Sequence, residues 1–370
     1  MKRKVFYVLG IMSGTSIDGL DFSLIKSDGV KHVEIIKNQY FKFNKQIRDE
    51  ITNLIKFYNL QKKFIKNKKF CEVDSKFTKY VILKIEKFLS EIKVKRKRID
   101  LIGFHGNTVI HNPQKKTSVQ LGNPIEIAKK TQFPVVAHFR KRDIQSLGEG
   151  APLVPVYHRA IFSKSSKNIV VVNIGGISNF TFLSGKVNIL ASDIGPGNTL
   201  IDRVSMLKFD KNFDKNGSLA SKGKINYKLV KMWMKNTLFK TPFPKSFDIK
   251  NFKLEQFSQK NELSDLNYLR SLTYLTAKLI SRLEYQLKKK IDFWVFSGGG
   301  TNNLTLMSDI RNLIGYKKVF ISNELGFDSS YIESSAFGFI SVRTLKKLPS
   351  AFPTTTGCKK KNICGDIYNP

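Results

Sequence analysis

The sequence predicts an α/β protein built from two similar halves. Strand-like runs alternate with amphipathic helical segments along the 370 residues, which is the pattern of this class. A hydrophobic run, a glycine-containing turn and a second apolar run occur early in each half, at residues 5–26 and 168–183. Pro152, Pro155 and the polar stretch "SKSSKN" indicate a boundary between the halves. The length is sufficient for two domains with their own cores.

Local patterns predict the elements of the first half. Val5 to Met12 and Leu20 to Lys26 are strand-like and form the first hairpin. Apolar residues recur every three or four positions from Glu72 to Ile92, which predicts a helix, and "IDLIGFHG" has the composition of a buried strand. Asn123 and Pro124 have the chemistry of a helix cap and first helical residue, and "FPVVAHF" predicts the strand that follows.

In the second half, leucines from Leu266 to Leu287 predict a long amphipathic helix that leads into the strand "IDFWVF". The residues from Ser329 to Lys347 predict the last helix.

Composition limits the classes of function. The formal net charge is +35, from 64 basic and 29 acidic residues, and the apolar fraction of 41% is that of a folded globular chain. Lysines are spread along most of the chain without a recognisable nucleic-acid-binding motif, so the charge is interpreted as a solvated surface. Three cysteines make no even disulfide framework. The basic start "MKRK" lacks a following cleavage site, and no apolar run is long enough for a membrane helix, so we expect a cytoplasmic protein with no membrane partner.

The stretch "GIMSGTSIDGLD" at residues 10–21 has the ingredients of an anion site. Glycines let backbone amides turn toward one point, hydroxyl groups add donors, and two carboxylates beside them fit a magnesium ion held through a bound phosphate. The plain hairpin turn is the alternative. The residues predicted to bind the nucleotide here are Ser13, Gly14, Thr15, Ser16, Asp18, Gly19 and Asp21, with Asp18 and Asp21 as the candidates for Mg²⁺.

Two further glycine turns follow strands. Gly175 and Gly176 lie in "NIGGISNF", and Gly298, Gly299 and Gly300 lie in "FSGGGTNN". Three such turns match the way actin-like ATPases and sugar kinases surround ATP, with one phosphate loop from each domain and a later loop under the adenosine. The alternative for the third turn is a helix entry in which the glycines permit close packing.

Asp193 is the candidate catalytic residue. It stands at the end of a short apolar run and just before the stiff turn "GPG", and a general base needs a fixed position. A turn or helix cap is the alternative.

Several further polar residues are candidates for substrate contacts. His105 and His111 lack a third ligand at metal-binding spacing, so they are candidates for substrate contacts or for structural hydrogen bonds. Arg140 and Arg142, with Asp143, are predicted either to clamp a polar substrate or to form a surface salt bridge. Glu149 and Glu333 are ambiguous by themselves.

Taken together, these segments resemble the anhydro-N-acetylmuramic acid kinase family, whose fold is that of sugar kinases, heat-shock proteins and actin. The resemblance rests on eight segments in the family's order. They are "GIMSGTSIDGLD", "GFHGNTVIHNPQ", "QLGNP", "HFRKRDIQSLGEGAPLVPVYH", "NIGGISNF", "SDIGPGNTLID", "FSGGGTNN" and "IESSAFGFIS".

The resemblance implies two actin-like, ribonuclease H-like domains with a central cleft for ATP and sugar. It places the first phosphate loop and part of the sugar site in residues 1–150. The second phosphate loop, Asp193 and the adenosine loop fall in 151–330, and residues 331–370 form a C-terminal helix and tail that pack back on the N-terminal domain. The implied cofactors are ATP and Mg²⁺, and the implied assembly is a homodimer with no specific nucleic-acid partner.

The implied reaction is hydrolysis of the anhydro bond of 1,6-anhydro-N-acetylmuramate with ATP-dependent phosphorylation of O6, in peptidoglycan recycling. Asp193 would be the base, and His105, Arg140 and Glu333 would contact the sugar. The chain departs from the family pattern at His138 and at Leu147–Gly150. The competing hypotheses are a kinase of the same fold acting on another amino sugar and a basic nucleic-acid-binding protein.

Overall fold

A computed structural model describes most of the chain as two compact units. The first unit comprises Met1–Ile161 and Ser330–Pro370, and the second comprises Phe162–Ser329. The described residues are 4–14, 16–61, 64–164, 166–185, 188–258 and 263–370. Thr15, one of the predicted nucleotide-binding residues, lies outside them.

The strands and helices alternate as the sequence predicts. The strands are β1 (Phe6–Ser13), β2 (Gly19–Ser27), β3 (Val33–Lys42), β4 (Leu101–Asn112), β5 (Thr117–Leu121), β6 (Val135–Ala137), β7 (Asn168–Ile174), β8 (Ile177–Ser184), β9 (Asn188–Pro196), β10 (Phe293–Ser297), β11 (Val319–Ile321) and β12 (Asp366–Tyr368). The α-helices are α1 (Lys45–Gln61), α2 (Lys68–Glu91), α3 (Pro124–Thr131), α4 (Lys141–Gln145), α5 (Pro155–Phe162), α6 (Thr199–Phe209), α7 (Tyr227–Trp233), α8 (Asp265–Ser281), α9 (Leu283–Leu287), α10 (Leu304–Ile314), α11 (Ile332–Leu345) and α12 (Pro353–Thr356).

The two units contain sheets of the same basic order. In the first, the path is β12-β6-β4-β1-β2-β3, with β5 paired to β4; in the second it is β11-β10-β7-β8-β9. Each sheet combines an antiparallel meander of three strands with two strands parallel to the first of them. This is the ribonuclease H-like order, and it confirms the predicted α/β class with two similar halves.

Each sheet is covered by helices that bury its apolar face. In the first unit, α11 lies across β1, β2 and β4. It approaches β1 so closely that a Cβ at Gly10 would overlap the carbonyl oxygen of Ser334, while the hydroxyls of Ser23 and Ser334 bond at 2.6 Å. The core of the second unit includes Trp294 from β10 and Leu272 from α8. Rigid sheets with helices on their faces therefore carry the turns that the sequence singles out.

Two local predictions differ from the structure. The helix predicted from Leu266 to Leu287 is divided at Arg282, which ends α8 and precedes α9 with a φ of −73° and a ψ of −11°. Asp193 lies inside β9 and not at its end, because pairing with β8 continues to Pro196.

Asn123 caps α3 as predicted, accepting hydrogen bonds from two backbone N–H groups of the first turn. Within the described ranges, no helix is both long and apolar enough to cross a membrane.

Candidate active site

The first glycine turn connects β1 to β2 in the first unit. Gly14 accepts a hydrogen bond from the Ile17 N–H at 3.3 Å, and Ile17 has a φ of 53°. A β-branched residue is rarely found in this left-handed region, and strain of this kind concentrates at functional sites. The left-handed backbone of Ile17 is therefore not what a plain connection between two strands requires, and it favours a functional role for this turn.

Asn107 on β4 fixes the shape of this turn. Its Nδ2 donates to the Ser13 hydroxyl and to the Gly14 carbonyl, both at 3.0 Å. Ser13 is buried and donates its proton to the carbonyl of Gly19 at 3.0 Å. The Ser13 hydroxyl therefore supports the loop internally and does not point its proton at a ligand. The sequence pattern of "GFHGNT" does not by itself single out Asn107.

The two carboxylates of the turn lie near one aromatic ring. Asp21 is paired across the strands with Tyr40, and Ser16 donates its hydroxyl proton to Asp18 Oδ1 at 2.6 Å. Burial raises the pKa of Tyr40, and the charges of Asp18 and Asp21 raise it further. Packing explains the glycine at position 19, since a Cβ there would overlap the Tyr40 ring.

This pair of carboxylates fits one kind of metal. The described part of the chain contains no cluster of three or more His, Cys, Asp or Glu residues able to hold a metal ion. Mg²⁺ in nucleotide sites is bound by one or two carboxylates with phosphate oxygens and water, so Asp18 and Asp21 suit that mode and not a cage made of protein ligands alone.

A second polar cluster in the first unit centres on Arg140. Its Nε donates to His105 Nε2 at 3.1 Å, and its Nη1 donates to the Gly150 carbonyl at 2.8 Å. Because His105 Nε2 accepts, the ring proton is on Nδ1, which donates to the Gly106 carbonyl at 2.9 Å. Burial, reinforced by the charge of Arg140, holds the pKa of His105 well below its usual value. His105 is therefore a neutral imidazole.

Glu333 and His111 belong to the same cluster. Glu333 lies in the first turn of α11 and is accessible to solvent. Desolvation raises the pKa of its carboxyl, and the charge of Arg140 opposes this. Desolvation and Arg140 together lower the pKa of His111 to about 4. The structure thus brings the three predicted sugar contacts, His105, Arg140 and Glu333, together, with His111 beside them.

The loop after α4 is fixed by Asp143, which is fully buried. Asp143 Oδ2 accepts the Gly150 N–H at 2.8 Å, and Oδ1 accepts the Thr356 hydroxyl at 2.7 Å. A Cβ at Gly148 would overlap this carboxylate, which explains a glycine within the divergent segment Leu147–Gly150. Since the Gly150 carbonyl holds Arg140, the buried carboxylate positions the guanidinium through the loop.

Two neighbouring residues have structural roles. Arg142 forms hydrogen bonds to Asp366 at 2.7 and 3.0 Å on the surface, so the salt-bridge alternative holds for it. His138 bonds the Tyr368 hydroxyl at 2.6 Å, so its imidazole is engaged with β12.

In the second unit, the second glycine turn is tied to the start of α6. The Gly175 carbonyl accepts the Asn198 N–H at 2.8 Å. The Gly176 carbonyl accepts the Gly197 N–H at 2.8 Å and the Thr199 hydroxyl at 2.7 Å. These bonds connect the turn to the "GPG" segment that follows Asp193, so the two features are parts of one structure.

Asp193 is held by a segment far away in the sequence. Its Oδ2 accepts the Phe247 N–H at 2.7 Å, and its own N–H donates to the Lys245 carbonyl at 3.0 Å. Burial raises the pKa of Asp193 to about 6, although the Phe247 hydrogen bond and the charge of Lys245 oppose the rise. Burial lowers the pKa of Lys245 to about 8, against the effect of Asp193. Sequence reasoning missed Lys245; its only signal is the proline-flanked segment "TPFPKSFD".

The third glycine turn links β10 to α10. Gly298 has a φ of 85°, and a Cβ there would overlap the side-chain oxygen of Asn173 at 2.5 Å. A Cβ at Gly300 would overlap Ile174, whereas Gly299 has no atom within 4 Å of that position among the described residues. Close packing therefore explains Gly298 and Gly300, and Gly299 is the glycine of this turn with open space beside it.

Comparison with known proteins identifies the family. A model of the anhydro-N-acetylmuramic acid kinase family matches residues 6–370. A protein with that name from Rhodopseudomonas palustris (strain ATCC BAA-98 / CGA009) is 35% identical, covering 94% of this chain and 95% of the relative. Those from Bradyrhizobium diazoefficiens and Pasteurella multocida are 33% and 32% identical, covering 98% and 100% of this chain and 99% and 98% of the relatives. The chain is therefore an ATP-binding kinase, and it belongs to the anhydro-N-acetylmuramic acid kinase family.

Proposed function

We propose that this kinase hydrolyses the 1,6-anhydro bond of 1,6-anhydro-N-acetylmuramate and transfers the γ-phosphoryl group of ATP to O6. The products are N-acetylmuramate 6-phosphate and ADP. The observation that carries the proposal is the state of Asp193, a carboxylate fixed by a backbone N–H and raised by burial to a pKa of about 6. A base with a pKa just below neutral is ionised at pH 7 and still accepts a proton effectively.

The proposed chemistry begins at C1 of the sugar. Asp193 removes a proton from a water molecule as the water oxygen bonds to C1, and the bond between C1 and O6 breaks. O6 takes the released electron pair and attacks the γ-phosphorus, and the bond from that phosphorus to the bridging oxygen of ADP breaks. One water, one anhydro sugar and one ATP give one sugar phosphate, one ADP and one proton, which leaves from Asp193.

The family resemblance supports roles for the remaining site residues. We assign the turn Gly14–Asp21 and the turn at Gly175 and Gly176 to the ATP phosphates, and the turn Gly298–Gly300 to the adenosine. Asp18 and Asp21 would hold Mg²⁺, which neutralises charge on the phosphates when bound. Thr15 belongs to this assignment by its position in the segment.

The Arg140 cluster is assigned to the sugar. The half-buried guanidinium of Arg140, held by His105 and the Gly150 carbonyl, keeps N–H groups for the carboxylate and hydroxyl groups of a muramate, and Glu333 supplies an acceptor. The same proposal includes a role in peptidoglycan recycling, a cytoplasmic location and a homodimer, as the family resemblance implies.

Mass analysis of the product formed in ¹⁸O water tests the reaction. With ATP and the anhydro sugar, we expect one ¹⁸O atom in the sugar phosphate and none in its phosphoryl group. Samples are quenched early, and free N-acetylmuramate incubated without enzyme measures spontaneous exchange at C1. Unlabelled product, or label in inorganic phosphate alone, would contradict the proposal. Preference for free N-acetylmuramate or N-acetylglucosamine would instead favour an ordinary amino-sugar kinase.

A further inference from the structure

A short segment of main chain lies against β9 at Asp193. Lys245 donates its backbone N–H to the Ser192 hydroxyl oxygen at 2.8 Å, and the Ser192 hydroxyl donates its proton to the Lys245 carbonyl oxygen at 3.1 Å. The same carbonyl accepts the Asp193 N–H, and two residues later the Phe247 N–H reaches Asp193 Oδ2. Residues 245–247 are therefore tied to β9 by one main-chain bond and by bonds to the side chains of Ser192 and Asp193, the last of which ends on the carboxylate.

The side chain of Lys245 is held in place by its own neighbours. Its Nζ lies 5.1 Å from the ring centroid of Phe243 and 5.4 Å from that of Phe247, both within cation–π range. Nζ also donates to the Phe239 carbonyl at 3.4 Å. A lysine enclosed by two rings has fewer accessible rotamers than one on an open surface, so its charge stays near β9.

The charged groups that interact with this pair are few. Lys245 is the charged side chain that acts on Asp193, and Arg282 is the other charge that acts on Lys245. The cross-strand partner of Asp193 on β8 is the neutral Asn179. Within the part of the second unit that the structure describes, Asp193 Oδ1 accepts no hydrogen bond, so this oxygen is available to a ligand.

We propose that Lys245 is a positioning residue for the Asp193 base: its carbonyl holds the Asp193 N–H, the Phe247 N–H two residues later fixes the carboxylate through Oδ2, and the Lys245 ammonium supplies the countercharge, leaving Oδ1 to take the proton. This inference rests on the proposed function, because it assigns a supporting role to the base of that reaction. It adds a residue, Lys245, and a choice between the two carboxylate oxygens.

The physical reason lies in the competition between burial and charge. Burial favours the protonated, inactive carboxyl, and an opposite charge nearby favours the carboxylate. Without the ammonium, we expect the pKa of Asp193 to rise from about 6 to about 7, taking the lower end of the usual effect of a neighbouring opposite charge. At pH 6 the ionised fraction would then fall about fivefold, whereas at pH 8 it would hardly change.

The test compares K245M with K245R and with K240M, whose lysine is exposed and lies in the same segment of chain. The rate kcat and the KM for 1,6-anhydro-N-acetylmuramate are measured from pH 5 to pH 8. For K245M we expect kcat to fall about fivefold at pH 6 and by less than about twofold at pH 8. K245R and K240M should stay close to the unmodified protein, and KM should change little in all three.

A second readout is independent of turnover. The carboxyl of Asp193 is titrated by ¹³C NMR in protein labelled at aspartate Cγ, with its signal assigned by its loss in D193N. We expect the Asp193 pKa to rise in K245M and to be retained in K245R. If K245M does not fold, K245Q, which keeps a polar side chain, replaces it in both measurements.

The outcomes separate the two proposals. An unchanged Asp193 titration and an unchanged pH profile in K245M would overturn the role of Lys245, and the reaction would stand. A loss of kcat that is equal at every pH, with an unchanged titration, would also overturn it. If the protein does not act on the anhydro sugar but the Asp193 pKa rises in K245M, the reaction is wrong and the electrostatic role of Lys245 is supported.

Discussion

Replacing Asp193 with Asn should abolish turnover and stabilise the protein at the same time. The carboxylate is ionised at pH 7 although burial favours its protonated form, so its charge costs the folded state free energy. Asparagine has nearly the same shape, can accept the Phe247 N–H through its amide oxygen, and carries no charge. Loss of a general base usually costs about 10²–10⁴ in rate.

The magnitude of the stabilisation follows from the shift in pKa. Burial raises the pKa of Asp193 from 3.8 to about 6, and each pKa unit corresponds to about 1.4 kcal/mol, so ionisation costs the folded state up to about 3 kcal/mol. The sign is fixed by the direction of the shift. A raised carboxyl pKa contributes stability that is fully present below pH 3.8 and is lost as the pH rises through about 6.

Thermal unfolding of D193N and of the unmodified protein from pH 4 to pH 8 measures this effect. Above pH 7 we expect the unit that contains Asp193 to melt several degrees higher in D193N, since about 1 kcal/mol corresponds to roughly 2–4 °C in a domain of about 150–250 residues. The advantage should shrink below pH 6 and almost vanish at pH 4. An equal difference in melting temperature at all pH values, or a D193N protein that melts lower at pH 8, would refute the reasoning. Turnover near that of the unmodified protein would refute the role of Asp193 as the base.

Three further substitutions test other parts of the structure. Arg140→Gln should raise the KM for the anhydro sugar at least about tenfold, because charge-assisted bonds are lost, and should leave the ATP affinity unchanged. The surface variant Arg142→Gln is the control and should have little effect. Steady-state kinetics that show equal effects of the two substitutions would contradict the assignment. Asp309 and Arg270 form an ion pair with two hydrogen bonds of 2.5 and 2.7 Å, and their side chains are only 8% and 13% exposed, respectively. Asp309→Ala leaves the Arg270 charge without this partner and should lower the free energy of unfolding by about 3 kcal/mol. Urea denaturation measures this, with Asp265→Ala, from an exposed pair, as the control expected to lose less than about 1 kcal/mol. Asn107→Ala leaves the first glycine turn without two hydrogen bonds and should weaken ATP binding about tenfold by calorimetry; unchanged affinity would show that the turn holds its shape without the amide.

Much of the fold was predictable because its signals are local. The two hairpins are specified by hydrophobic runs on either side of glycine turns, and each is observed as an antiparallel pair. The Asn123 cap and the helix it begins follow from side-chain chemistry within a few residues. The division between α8 and α9 at Arg282 was not predictable, since the leucine pattern continues across it.

The candidate site shows the same distinction. Asp193 stands out in the sequence as a residue type in a motif, Arg140 and Glu333 are singled out by the family resemblance, and the roles of all three stay predictions. Their partners were not, because those contacts join residues far apart in the chain, as when Lys245 meets Asp193 or Thr356 meets Asp143. Periodicity and turn chemistry carry no information about such pairs.

By itself, the sequence determined the α/β class, the duplicated sheets, the glycine turns and the kinds of side chain available for chemistry. Only the tertiary structure decided how those side chains behave. It buried Asp193 enough to bring its pKa near neutrality, occupied one of its carboxylate oxygens, and turned the Ser13 hydroxyl inward. The physical reason is that a pKa and a hydrogen bond depend on what surrounds a group in space, and distant segments such as 245–247 supply those surroundings.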